Sequence, residues 1–106
     1  EVFLVTGSPG GSQIITSVLQ VLLNVIDHGA NIQTATNTAR LHHQWLPDEV
    51  LVEKIFNQDA IELLRIRGHK VLPSSPIGTT QSIMALDGWL HGAADPRRSG
   101  SKAIGI

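Results

Sequence analysis

The chain has 106 residues, enough for one domain or part of one and too few for two ordinary domains. Apolar residues make up 42% and charged residues 16%, a balance that favours a folded globule over a disordered chain. Eight Lys and Arg against nine Asp and Glu leave a formal charge of -1, which excludes a strongly basic nucleic-acid footprint and a polybasic membrane patch. With no cysteine, disulfides, thiolate metal sites and a cysteine nucleophile are excluded within these residues.

In chain order, Val2 to Thr6 is a branched and aromatic run that reads as a strand already under way, with no initiator Met and no charged leader before it. A piece cut from something larger is therefore expected. Gly7-Ser8-Pro9-Gly10-Gly11 follows as a turn, and from Ser12 the period changes to that of a helix. Ile14, Ile15, Val18, Leu19, Leu22 and Ile26 form its expected apolar face, Thr16, Gln20, Asn24 and Asp27 the opposite side, and Gly29 the end. Val21, Leu23 and Val25 widen the face enough to suggest a helix sandwiched between layers. The stretch is too short and too polar for a membrane span.

Asn31 is placed to cap a second helix with Ile32, Ala35, Thr36 and Ala39 on one face. Arg40 to Pro47 reads as irregular and Val50 to Glu53 as a strand. Asn57 is placed to cap a third helix carrying Ile61, Leu63 and Leu64, with Gly68 at its left-handed end and a strand around Lys70 to Leu72 beyond. Thr80 to Leu86 and Trp89 to Ala94 flank Asp87-Gly88, a dipeptide suited to a type I′ hairpin turn. The polar tail from Asp95 to Lys102 is expected to be a surface loop. This order implies an α+β fold with some antiparallel sheet.

The glycine loop carries the strongest chemical signal. Two consecutive glycines between strand and helix leave backbone N–H groups open to a ligand oxygen, and the helix dipole favours negative charge there. Such a loop suits an anion or a developing oxyanion. The same pattern also serves a tight turn with no ligand, and it matches neither the P-loop nor the dinucleotide-binding glycine pattern. His42-His43 with Asp48 and Glu49 lacks a metal-ligand spacing, so packed and exposed imidazoles are expected. Trp45 and Trp89 are read as packing or interface residues, Asp95-Pro96-Arg97 as an ion-paired turn, and Ser74-Ser75-Pro76 as a loop.

Leu4-Val5-Thr6-Gly7-Ser8-Pro9-Gly10-Gly11-Ser12, with Ile14-Ile15 and the long apolar helix, resembles the γ-glutamyltranspeptidases. His42-His43-Gln44-Trp45-Leu46-Pro47-Asp48, Thr80-Gln81-Ser82-Ile83 and Gly92-Ala93-Ala94-Asp95-Pro96-Arg97 extend the resemblance, in the family's order, over nearly the whole chain. It implies an N-terminal nucleophile hydrolase with an αββα sandwich, made when a zymogen cleaves itself into a large and a small subunit. In that family an N-terminal Thr attacks the γ-glutamyl carbonyl of glutathione or a related donor, with its own α-amino group as base. Water, an amino acid or a dipeptide then accepts the γ-glutamyl group. Carried over to this sequence, Gly10 and Gly11 provide backbone N–H groups for the oxyanion and thereby contact the substrate.

The resemblance places residues 1-106 as a single segment, the C-terminal portion of the small subunit. The nucleophilic Thr and the Ser pair that clamps the donor are expected upstream and outside it, and Ser74-Ser75 is not that pair. The chain alone is expected to be inactive, and its partners to be the rest of the small subunit and the large subunit. No cofactor or metal, no nucleic acid and no membrane contact are expected, and the location is expected to be periplasmic or extracellular. The alternatives are a related acylase, of the cephalosporin acylase kind, and a non-catalytic interaction module of the same fold.

Overall fold

A computed structural model describes residues 2–106; Glu1 lies outside them. The described chain divides into two compact units. One comprises the residues up to Thr38 together with Gly78–Ile106, and the other Ala39–Ile77.

In the first unit, strand β1 (Leu4–Gly7) leads through the glycine loop into helix α1 (Gln13–Ile26), and helix α2 (Ile32–Asn37) follows. Two further strands form its hairpin, which the second unit's elements precede in sequence: Gln81–Leu86 and Trp89–Ala94, numbered β5 and β6. They join β1 in an antiparallel sheet of order β1-β5-β6, with Leu4 opposite Met84 and Ser82 opposite Ala93. Period two sends Leu4, Ser82, Met84 and Ala93 to one face. There Met84 and Ala93 pack with Val21 and Val25 of α1 and Ile32 and Ala35 of α2 to form the core of this unit. Asp87 and Gly88 both take positive φ, 52° and 78°, as a type I′ turn requires.

In the second unit, strands β2 (Leu41–His42), β3 (Val50–Glu53) and β4 (Val71–Ser74) form a sheet of order β2-β3-β4. β2 runs antiparallel and β4 parallel to β3. Helix α3 (Gln58–Ile66) makes the crossover between the parallel pair, and its Ile61 packs with Val50, Val52 and Val71. Asn57 caps α3 by accepting the Ala60 N–H at 3.0 Å. Gly68, at φ +95°, turns the chain out of α3, and the His69 N–H donates back to the Leu64 carbonyl at 3.1 Å. Pro73 is tolerated within β4 because β4 is an edge strand.

Several elements depart from the sequence reading. The buried stripe of α1 is Ser17, Val21 and Val25, whereas Ile14, Ile15, Leu19 and Ile26 are exposed. Apolar residues fall on more than one side of this helix, and the buried stripe itself includes Ser17, so periodicity did not show which stripe meets the sheet. The segment read as irregular contains β2, too short to carry a pattern of its own. α2 ends at Asn37, so Ala39 is not on it, and Leu63 of α3 is exposed. Ser74 closes β4 and does not belong to a loop. Trp45 and Trp89 are both exposed, so of packing and interface roles only packing within the described residues is ruled out.

The tail also differs, because Asp95 is fully buried and the Arg97 side chain nearly so. The Asp95 carboxylate accepts the Thr80 N–H at 2.8 Å through one oxygen, and the Arg97 N–H and Nη1 at 3.0 and 3.1 Å through the other. Arg97 also donates to the end of α2, reaching the Thr36 carbonyl from Nη1 at 2.7 Å and the Thr38 carbonyl from Nη2 at 2.9 Å. This is the ion-paired turn expected from Asp95-Pro96-Arg97. It is buried because α2 presents orphan carbonyls for the guanidinium to satisfy.

A second buried cation was not read from the sequence. Arg40 donates through Nη1 to the Ile77 carbonyl at 2.9 Å, while Glu53 accepts the Arg40 N–H at 2.7 Å and the Ile77 N–H at 2.8 Å. One carboxylate thus binds both ends of the second unit.

Candidate functional site

The glycine loop joins the end of β1 to the start of α1, the place where a strand-to-helix connection aims amides outward. Gly10 has φ +130° and Gly11 φ +58°, two consecutive left-handed conformations that L side chains rarely adopt. Their carbonyls turn inward: the Gln13 N–H donates to the Gly10 carbonyl and the Ile14 N–H to the Gly11 carbonyl, each at 3.1 Å. These two bonds begin α1, since the Ser12 side chain makes no capping hydrogen bond. The turn geometry, and not a side-chain cap, starts the helix.

With the carbonyls engaged, the Gly10 and Gly11 N–H groups donate to no group among the described residues. Both glycines are exposed, and a Cβ at Gly11 would meet nothing within 4 Å. A Cβ at Gly10 would make only ordinary contacts, 3.8 Å from Gln13 Cβ and 4.0 Å from Gly78 Cα. Conformation, not crowding within this chain, is therefore what requires glycine at both positions. The arrangement offers a pair of adjacent donors at a helix N-terminus, which is the chemistry of anion or oxyanion binding.

The loop is fixed from behind. Ser8 Oγ donates to the Pro9 carbonyl at 2.7 Å and accepts the Thr79 N–H at 3.0 Å, which ties the loop to the segment entering β5. Thr6 Oγ1, one residue before Gly7, accepts from Ser82 Oγ at 2.8 Å. Ser17, one turn into α1, is fully buried, and its Oγ has no hydrogen-bond partner. Sequence reasoning found Gly10, Gly11 and Ser8 through the turn composition. It did not find Gly78 or Ser17, which carry no local pattern and become neighbours only through the sheet.

The histidine candidates His42 and His43 belong to the second unit. His42 is buried and pairs with Gln44 Oε1 at 2.9 Å, the half-buried His43 meets Asp48 at 3.2 Å, and His28, His69 and His91 are exposed, a mixture of packed and exposed imidazoles. Among the described residues no three His, Cys, Asp or Glu side chains are grouped to hold a metal ion. No helix there is long and apolar enough to cross a membrane.

Comparison with known proteins places this loop in context. The chain is 57% identical over 98 residues to the glutathione hydrolase proenzyme of Escherichia coli K12, covering 92% of this chain and 17% of that protein. It superposes on a Helicobacter pylori gamma-glutamyltranspeptidase mutant with a TM-score of 0.89 and 44% identity, covering 92% of this chain and 55% of that one. A cephalosporin acylase from Bacillus halodurans superposes at 0.79 with 34% identity, over 87% of this chain and 18% of that one. The chain thus spans about a sixth of the E. coli relative's length. Its α+β fold is part of the αββα sandwich of the N-terminal nucleophile hydrolases. The family model described as gamma-glutamyltranspeptidase matches residues 1–105, and the chain belongs to that family.

Proposed function

We propose that this chain is the C-terminal portion of the small subunit of a γ-glutamyltranspeptidase and supplies the oxyanion donors of its active site. The observation that carries the reading is the Gly10-Gly11 pair: two exposed N–H groups at the start of α1, with no acceptor among the described residues. A Thr outside these residues, freed by self-cleavage of the precursor, attacks the γ-carbonyl carbon of glutathione or a related donor. The carbonyl electron pair moves onto oxygen, and the Gly10 and Gly11 N–H groups hold that charge. Collapse expels the amine, which takes a proton, and leaves an ester on the Thr. Water or the amine of an amino acid or dipeptide then displaces the γ-glutamyl group through the same oxyanion.

Three of the threonine hydroxyls are engaged within the fold, and none of the chain's threonines stands at an N-terminus, which supports an external nucleophile. Thr36 donates to the Ile32 carbonyl at 2.7 Å, Thr38 to the Thr34 carbonyl at 2.8 Å, and Thr80 to Asp95. The partners on this reading are the rest of the small subunit and the large subunit, in a periplasmic or extracellular enzyme. The acylase reading uses the same loop, and 57% identity to a glutathione hydrolase against 34% to the acylase favours the γ-glutamyl donor.

The test is chromophore release from a γ-glutamyl anilide by this chain alone and by the enzyme completed with the missing segments. The chain alone should be silent and the complete enzyme active; turnover by the purified chain alone would overturn the external nucleophile. In the complete enzyme, Gly10→Val or Gly11→Val should lower kcat by roughly 10²–10³, as removal of one oxyanion donor does. Near wild-type turnover in either variant would remove the oxyanion role.

A further inference from the structure

We propose that Gly78 is a positioning residue for the Gly10 and Gly11 amides, a role that rests on the oxyanion reading above. Gly78 lies just before β5, at φ +70°, in the cleft between the glycine loop and α1. A Cβ there would fall against Ser17 Oγ, 2.8 Å from Ser17 Cβ and 2.9 Å from Ser8 Oγ. Contacts that short do not occur, so something has to shift. On the third side, the Gly78 Cα lies 4.0 Å from the position a Gly10 Cβ would take. One glycine therefore touches the helix, the loop and the turn that carries the donors.

Each way of making room moves the donors. Ser17 is fully buried in α1, and the first turn of α1 hangs from the Gly10 and Gly11 carbonyls, so retreat of the helix drags the Gly10–Gly11 peptide, which carries the Gly11 N–H, and pulls the adjoining Gly10 N–H with the turn. If Ser8 retreats, the Thr79 N–H loses its acceptor and the loop is released from the sheet. The buried, unpartnered Ser17 hydroxyl fits this account. It gains no hydrogen bond, and its bulk, meeting a residue with no side chain, sets the spacing between α1 and the segment entering β5. Oxyanion stabilisation is steep in donor placement, and a misplacement of about 1 Å is enough to lower a rate about 10²-fold.

The experiment uses the complete enzyme. Gly78→Ala should lower kcat for a γ-glutamyl anilide by about 10²-fold while KM changes by less than about threefold. A γ-boronate analogue of the donor, which forms a tetrahedral adduct with its oxygen in the oxyanion position, should lose affinity in step with kcat, whereas free glutamate should not. Ser17→Gly placed in the Gly78→Ala background removes the group the new methyl meets, and should recover about tenfold in kcat. A crystal structure of Gly78→Ala should show the Gly10 and Gly11 nitrogens displaced. Undisturbed nitrogens, unchanged kcat, or equal loss of boronate and glutamate affinity would each overturn the positioning role. If Gly78→Ala does not mature, Ser8→Ala takes its place, with a fall in kcat of about tenfold expected and an unchanged kcat overturning the tether. A wild-type complete enzyme silent on the anilide would sink the γ-glutamyl reading instead, and the displacement of the two nitrogens would still decide the role of Gly78.

Discussion

Single residues in this chain divide into those fixed by conformation and those fixed by charge. Gly10 and Gly11 belong to the first group, since their surroundings are open and only their positive φ excludes a side chain. That requirement was legible, because a strand followed by Ser-Pro-Gly-Gly and a helix leaves little choice of turn. Asp95 and Arg97 belong to the second. Their pairing was legible from the Asp-Pro-Arg spacing, but their burial was not, because the partners Thr36, Thr38 and Thr80 lie far away in sequence. Removing one member should leave the other uncompensated. We expect Asp95→Ala to destabilise the complete enzyme by about 3–5 kcal/mol, because the Arg97 guanidinium loses its counter-charge and the Thr80 N–H its acceptor. A urea titration checks this, and a loss under about 1 kcal/mol would mean that water replaces the carboxylate.

Elements with local signals formed where the sequence placed them. The β5–β6 hairpin follows from Asp87-Gly88, and α2 and α3 begin at Asn31 and Asn57, whose side chains accept the Thr34 and Ala60 N–H groups. Asn57→Ala should therefore cost about 1 kcal/mol, measured by denaturant titration. Gly88→Ala should cost a similar amount, about 1–2 kcal/mol, through its φ of +78° alone, since a Cβ there meets nothing within 4 Å. Elements without local signals were misread. β2 has only two residues and exists because β3 offers it an edge. In α1 the sequence showed a helix but not its buried side, since Ile15 and Leu19 are as apolar as Val21 and Val25.

At the scale of the whole molecule, a large share of the apolar surface stays uncovered within this chain. In the first unit Val5, Ile83 and Leu90 line the sheet face opposite the core, and Ile15, Leu19 and Ile26 lie exposed on α1. Patches of this kind favour association. The isolated chain should accordingly self-associate on light scattering and bind a hydrophobic dye, and refolding it with the missing segments should suppress both. A clean monomer that binds no dye would show that these faces need no cover.

The sequence by itself determined the α+β class, the positions of most helices and strands, the turn conformations of the glycine loop and the hairpin, and membership in the family. These rest on interactions between residues close together in the chain, or on motifs long enough to be specific. Only the tertiary structure decided which stripe of α1 is buried, that Asp95 and Arg97 are interior, that Glu53 joins Arg40 to Ile77, and that Gly78 sits against Ser8 and Ser17. Those contacts join residues up to about seventy positions apart. Period and propensity act within a turn or a strand, and they hold no record of which distant segment the folded chain brings alongside.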